Sequence, residues 1–125
     1  LPLDATHDAP ISLADCDRFE AIGTPGAIGT SALIRQRIGT YPDAPDAEKI
    51  TAPVHDALCV AYLVHPEVIT DAGHYPVHVE TSGEQTLGAM VVDARPWTTE
   101  TANARVTKRA DAQIFANFLA DAFAP

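Results

Sequence analysis

Positive charge is scarce in this chain. Eight Lys and Arg stand against 17 Asp and Glu in 125 residues, a net charge of -9. The basic residues are scattered, with only Lys108 and Arg109 adjacent. No strip of cations exists to follow a nucleic-acid backbone, so a nucleic-acid partner is not expected. Cysteine is scarcer still: Cys16 and Cys59 are the only two, and neither belongs to a C-x-x-C. Both lie among apolar neighbours on expected helices, which points to buried free thiols in a reducing compartment, and so to the cytoplasm. No apolar run approaches the roughly 20 residues needed to span a bilayer, so no membrane partner is expected either. No signal-peptide pattern opens the chain, and Leu1 in place of Met points to an incomplete start. Neither the G-x-x-x-x-G-K of a phosphate loop nor the G-x-S-x-G of a serine hydrolase occurs. His65, His74 and His78 do not make a zinc site by spacing, because Pro76 interrupts the last pair and no further ligands stand at workable distances.

What is present suits one small domain. Hydrophobic residues make up 46% of the chain, enough for a modest core. Pro2 to Thr6 reads as an extended start. Ser12 can cap a helix to about Ile22, with Leu13, Cys16 and Phe19 on one face and Gly23 as its stop. Thr24-Pro25 opens a second helix, carried by Ala27, Ile28, Ala32, Ile34 and Ile38 to Gly39. A proline-rich loop follows, containing Tyr41. Val77, Val79 and Thr81 alternate with polar residues as a half-buried strand, Ser82-Gly83-Glu84 turns, and Leu87 to Val92 returns. Ala104 to Thr107 is a third strand. Asp111 can cap a last helix whose apolar stripe includes Ile114, Phe115, Phe118, Leu119, Ala122 and Phe123. Element order alone gives α/β or α+β.

The most informative stretch is Pro53-Val54-His55-Asp56-Ala57-Leu58-Cys59-Val60-Ala61-Tyr62-Leu63-Val64. Pro53 and Pro66 bound about three helical turns. Ala57, Val60, Ala61 and Val64 are spaced to face a core. An imidazole and a carboxylate then stand at the helix start, where free N–H groups and the helix dipole favour an anion. Taken alone, the pair also fits a plain capped start, with Asp56 as the cap and His55 an exposed neighbour.

The longer string resembles the P-x-H-D-P/A-x-x-V-A-Y-L segment of the inosine–uridine-preferring nucleoside hydrolases. Three further stretches match that family in the same order. Leu1 to His7 resembles a strand ending in L-D-x-T-H, and Val79 to Gly88 resembles a V-E-T-x-G-x-x-T-x-G hairpin continued by Val91-Val92-Asp93. Asn103-Ala104-Arg105-Val106 and the amphipathic stretch after it resemble the last strand and helix. Residues 40–52 match least.

The resemblance implies an α/β fold. The chain would form the C-terminal portion of an open, mostly parallel sheet with flanking helices and a β-hairpin. Residues 1–125 would then be a single segment. It also implies a calcium-dependent N-ribohydrolase, acting on a ribonucleoside to give ribose and free base. Asp56 would be one calcium ligand and His55 the proton donor to the leaving base. Tyr41 is the one aromatic in the region that family members use to cover the base. Relatives with tryptophan in place of this histidine stack on the base instead, so His55 implies the branch that includes pyrimidine and broad-specificity enzymes. Family members carry an N-terminal D-x-D-x-x-x-D-D cluster that supplies most calcium ligands and the base that activates water. Here the one D-x-D is Asp15-Cys16-Asp17, followed at the required spacing by Ala21 and Ile22. Asp15 and Asp17 read better as the polar side of a short helix.

Two expectations follow. The chain is part of a nucleoside hydrolase, inactive without the missing N-terminal portion and assembling as a homo-oligomer. Alternatively, it is a non-catalytic truncated remnant acting only in folding or association. Either way, the stripe from Ile114 to Phe123 and the face around Val60 and Val64 exceed what three short strands can cover, so exposed apolar surface is expected.

Overall fold

The computed structural model describes residues 1–40 and 50–125. Tyr41 lies outside the described residues.

The chain opens with a one-turn helix, α1 (Leu3–His7), where an extended start was expected. Thr6 donates its hydroxyl proton to the Leu3 carbonyl at 3.1 Å, closing the turn with a side chain. A short strand, β1 (Pro10–Ser12), follows. Helix α2 (Leu13–Ile22) begins in a reciprocal capping box between Ser12 and Asp15 and stops at Gly23, whose φ of 79° suits a residue without Cβ. Asp15 is thereby committed to the cap. Asp17 and Glu20 pair with Arg35 on the next helix, α3 (Pro25–Ile38), which starts from the Thr24 cap. The hydroxyl of Ser31 and the Arg35 guanidinium hold the Glu20 carboxyl below its usual range. The buried side of α3 is Ala27, Ser31, Ile34 and Ile38, whereas Ile28 and Ala32 face solvent.

Strand β2 (Thr51–Pro53) pairs antiparallel with β1, with Ile11 opposite Ala52 and Pro10 opposite Pro53. Helix α4 (His55–Val64) leaves β2 almost at once. A 3₁₀ turn (Pro66–Val68) leads into β3 (Ile69–Tyr75), then β4 (Val77–Val79) and β5 (Met90–Val92), which form a hairpin. This hairpin is shorter than the alternation suggests, and Val79 is exposed because only one strand lies beside it. Asn103 fastens the hairpin base, its amide donating to the Val77 carbonyl and its oxygen accepting from the Val77 N–H. Strand β6 (Ala104–Ala110) pairs antiparallel with β3 through a register irregularity near Asp71, and α5 (Ala112–Phe123) ends the fold. Asp111 caps α5 by accepting from the Gln113 and Ile114 N–H groups.

The fold is mixed α/β, as expected. All three strand pairs among the described residues are antiparallel, so the parallel strands of the expected open sheet have no counterpart within them. The core gathers Ile11 of β1, Phe19 of α2, Leu58 of α4, Val68, and Phe115 of α5, all at or below 1% exposure. Helix α4 is rotated relative to its expected face. Leu58 and Ala61 are buried, while Val60 and Val64 are 56% and 61% exposed. Its apolar residues encircle the helix, so their spacing carried no phase. Cys16 is a buried free thiol, pushed up by that burial, but Cys59 is exposed, against expectation. Among the described residues no helix is long and apolar enough to cross a membrane.

Candidate functional site

Two chain segments meet at the candidate site, and a short ladder brings them there. Helix α1 runs directly into β1, and β2 runs directly into α4. Pairing β1 with β2 therefore sets the end of α1 against the start of α4. Two polar contacts result. His55 Nδ1 lies 2.8 Å from the Thr6 hydroxyl oxygen, and the His7 and His55 rings stand 5.4 Å apart between centroids. Thr6 is buried and His55 half-buried.

The Thr6 contact orders the imidazole. The single hydroxyl proton of Thr6 goes to the Leu3 carbonyl, so its oxygen accepts from His55, and Nδ1 carries a hydrogen. In the neutral ring Nε2 is then the nitrogen that keeps its lone pair. Thr6 was singled out in the sequence only within L-D-x-T-H, with no role. That shared motif was the one signal available, because the bond spans 49 residues of chain.

Asp56 occupies the first turn of α4 and is exposed. It is not the cap. The cap position is Val54, which offers no side-chain bond, so the first-turn N–H groups of α4 are not closed by a side-chain cap. His55 and Asp56 share one wall of an open cleft of about 280 Å³ with Val54, Pro53 and Ala52; Leu33, Ile34 and Arg37 of α3 form the other. The lining combines apolar side chains with an acid, an imidazole and a guanidinium.

Among the described residues no other acid lines this cleft. Asp15 caps α2 and Asp17 pairs with Arg35. Asp8 pairs with Arg109, which ties α1 to β6. His65 with Glu67, and His78 with Glu100, make exposed pairs at 2.7 Å each. Among the described residues no group of three or more His, Cys, Asp or Glu could hold a metal ion. Asp56 offers at most two oxygens, against the six to eight that calcium takes. The described residues do not by themselves fit a calcium ion.

Comparison with known proteins places this arrangement. The family model for inosine-uridine preferring nucleoside hydrolases matches residues 1–117. Pyrimidine-specific ribonucleoside hydrolases RihA of Salmonella gallinarum and Escherichia coli are each 37% identical over 122 residues, which is 95% of this chain and 38% of the relative. The chain thus spans well under half the length of the curated relatives it matches. An inosine-guanosine nucleoside hydrolase shares the fold at a TM-score of 0.73 and 23% identity, over 94% of this chain and 36% of its own. A purine-preferring ribonucleoside hydrolase from Gardnerella vaginalis does so at 0.76 and 19%, over 97% and 37%. The chain belongs to the inosine-uridine preferring nucleoside hydrolase family and corresponds to a portion of the fold its members share.

Proposed function

We propose that this chain is the C-terminal part of a calcium-dependent ribonucleoside hydrolase, a single segment over residues 1–125. The completed unit cleaves the N-glycosidic bond by hydrolysis, water adding its oxygen to the anomeric carbon as the bond to nitrogen breaks, to give ribose and free base. The observation that carries this reading is the Thr6–His55 hydrogen bond, which orders an imidazole that lines the same cleft as Asp56.

The chemistry follows from the bond broken. As the base leaves, positive charge grows at the anomeric carbon and negative charge on the base nitrogen. His55 delivers a proton from Nε2 to that nitrogen, while Thr6 holds the opposite edge of the ring. Asp56 contributes one carboxylate to a calcium shell whose other ligands come from outside these residues. Tyr41 covers the base. The reaction is soluble salvage chemistry in the cytoplasm, and the completed unit assembles as a homo-oligomer.

The test uses the completed unit on inosine, uridine and cytidine with reducing-sugar detection and calcium present. Release of ribose is expected, and no turnover of any nucleoside overturns the assignment. The chain alone is expected to be inactive and to bind calcium weakly. Micromolar binding by calorimetry would reveal ligands beyond Asp56.

A second reading has its own observation. With Asp15 and Asp17 committed to a cap and an ion pair, and with Val60, Leu63 and Val64 exposed, the chain suits a truncated remnant that acts only in association. Turnover by the completed unit separates the two.

A further inference from the structure

One hydrogen bond anchors one atom of the His55 ring. The bond from Nδ1 to the Thr6 oxygen, at 2.8 Å, holds the edge of the imidazole. The ring can still swing about that anchor, because the χ2 torsion of histidine is broad rather than sharply staggered. Nε2 lies away from the anchored atom, so such a swing displaces it.

A second contact falls on the face of the ring. The His7 imidazole stands 5.4 Å from that of His55 between centroids, with 31° between their planes. That angle is nearer to stacking than to an edge-on contact, and the distance is that of paired aromatic rings. His7 is itself exposed, but the backbone on both sides of it is held. Thr6 before it is buried at 3% exposure, and Asp8 after it pairs with Arg109 of β6. Among the described residues the His7 ring makes no hydrogen bond, and His55 is the one ring it meets. Both contacts come from helix α1, so the β1–β2 ladder brings the edge and the face of the imidazole to their partners together.

We propose that His7 is a positioning residue for His55. Its ring fixes the plane of the imidazole while Thr6 fixes the edge, and together they set where Nε2 lies. What that nitrogen does rests on the function proposed above, whereas the placement of the ring stands on the geometry alone. His7 acts through His55 and not on the nucleoside.

The first readout is the tautomer of His55, followed in the 125-residue chain by long-range proton–nitrogen NMR. Thr6 accepts from Nδ1, so the neutral wild-type ring should hold its hydrogen there. His7→Ala should mix the two tautomers. His7→Phe restores a ring face and should recover the Nδ1–H form. Melting should stay unchanged in both variants, since the side chain already faces water.

The second readout is turnover by the completed unit with calcium present. His7→Ala should lower kcat for uridine about 10–10²-fold with KM unchanged, and should spare the nitrophenyl riboside. His7→Phe should restore most of the loss. Added to His55→Ala, the His7→Ala change should cost nothing further, because it acts only through that ring.

A His55 tautomer unmoved by His7→Ala overturns the proposal, as does a loss that His7→Phe fails to recover. An active unit in which His7→Ala leaves kcat unchanged overturns it as well. Turnover that falls through KM, or falls further in the His55→Ala background, assigns His7 to the substrate and overturns it too. A wild-type unit that releases no ribose refutes the proposed function, and the tautomer then decides the placement of the ring by itself.

Discussion

Helices α4 and α5 are built from similar material and meet opposite fates. Both are short and mostly apolar, α4 with Ala, Val and Leu and α5 with Ala and Phe. In α5 the large residues fall on one side, and Phe115 and Leu119 are buried at 0% and 7% exposure against β1, α2 and α4. In α4 they fall on every side, with Leu58 buried and Val60, Leu63 and Val64 exposed. The starts differ as well. Asp111 closes the first N–H groups of α5, whereas no side chain closes those of α4, and His55 and Asp56 stand there instead. One helix spends its sequence on stability. The other leaves its outer face exposed and its first turn without a side-chain cap.

The contrast can be broken at five points. The largest effect is expected at His55. In the completed unit His55→Ala should lower nucleoside turnover about 10²–10⁴-fold. The loss should be smaller for a nitrophenyl riboside, whose leaving group departs without a proton. An equal loss on both substrates would remove the proton-donor role. Asp56→Ala should instead weaken metal and ribose binding for every substrate.

On the stability side, Phe115→Ala should cost about 3–5 kcal/mol, because it empties the centre of the one core. Denaturant unfolding of the chain measures it, and a loss below about 1 kcal/mol would mean that α5 is not anchored as described. Asp111→Ala should cost about 1 kcal/mol by reopening the α5 cap. The smallest change is expected at Val60→Ser, within about 0.5 kcal/mol in the isolated chain. A larger loss would show that α4 already has cover there.

Acid supplies a pH test of the paired helices. The Glu20 carboxyl is held below its usual range by Ser31 and Arg35, so its contribution is present above the ordinary carboxylate pKa. It is lost as pH falls through the lowered value. Glu20→Gln should blunt the acid sensitivity of the contact between α2 and α3, as followed by melting temperature against pH.

The parts of the fold legible in the sequence are those fixed by neighbours in the chain. Ser12, Thr24 and Asp111 cap the helices they were expected to cap, since capping needs only three or four consecutive residues. Helix α1 was not legible, because one turn is unstable alone and is held here by contacts with β6 and α4. Nor was β3, whose Ile69–Tyr75 run has no clean alternation and pairs through an irregular register. At the site, His55 and Asp56 were legible as a pair at a helix start. Thr6 was not, because nothing local connects it to a ring 49 residues away.

The β1–β2 ladder has a kinetic consequence. The ladder has three residue pairs, yet closing them requires joining segments far apart in sequence. Such pairing forms late in folding and opens early, as a local unit rather than with the whole molecule. The amides of Ile11 and Ala52 should therefore exchange with deuterium well before those of Phe115 and Leu119. The imidazole would lose its Thr6 partner in each such opening, and because Ile11 and Ala52 belong to the core, the alignment of the site is tied to the seating of that edge of it.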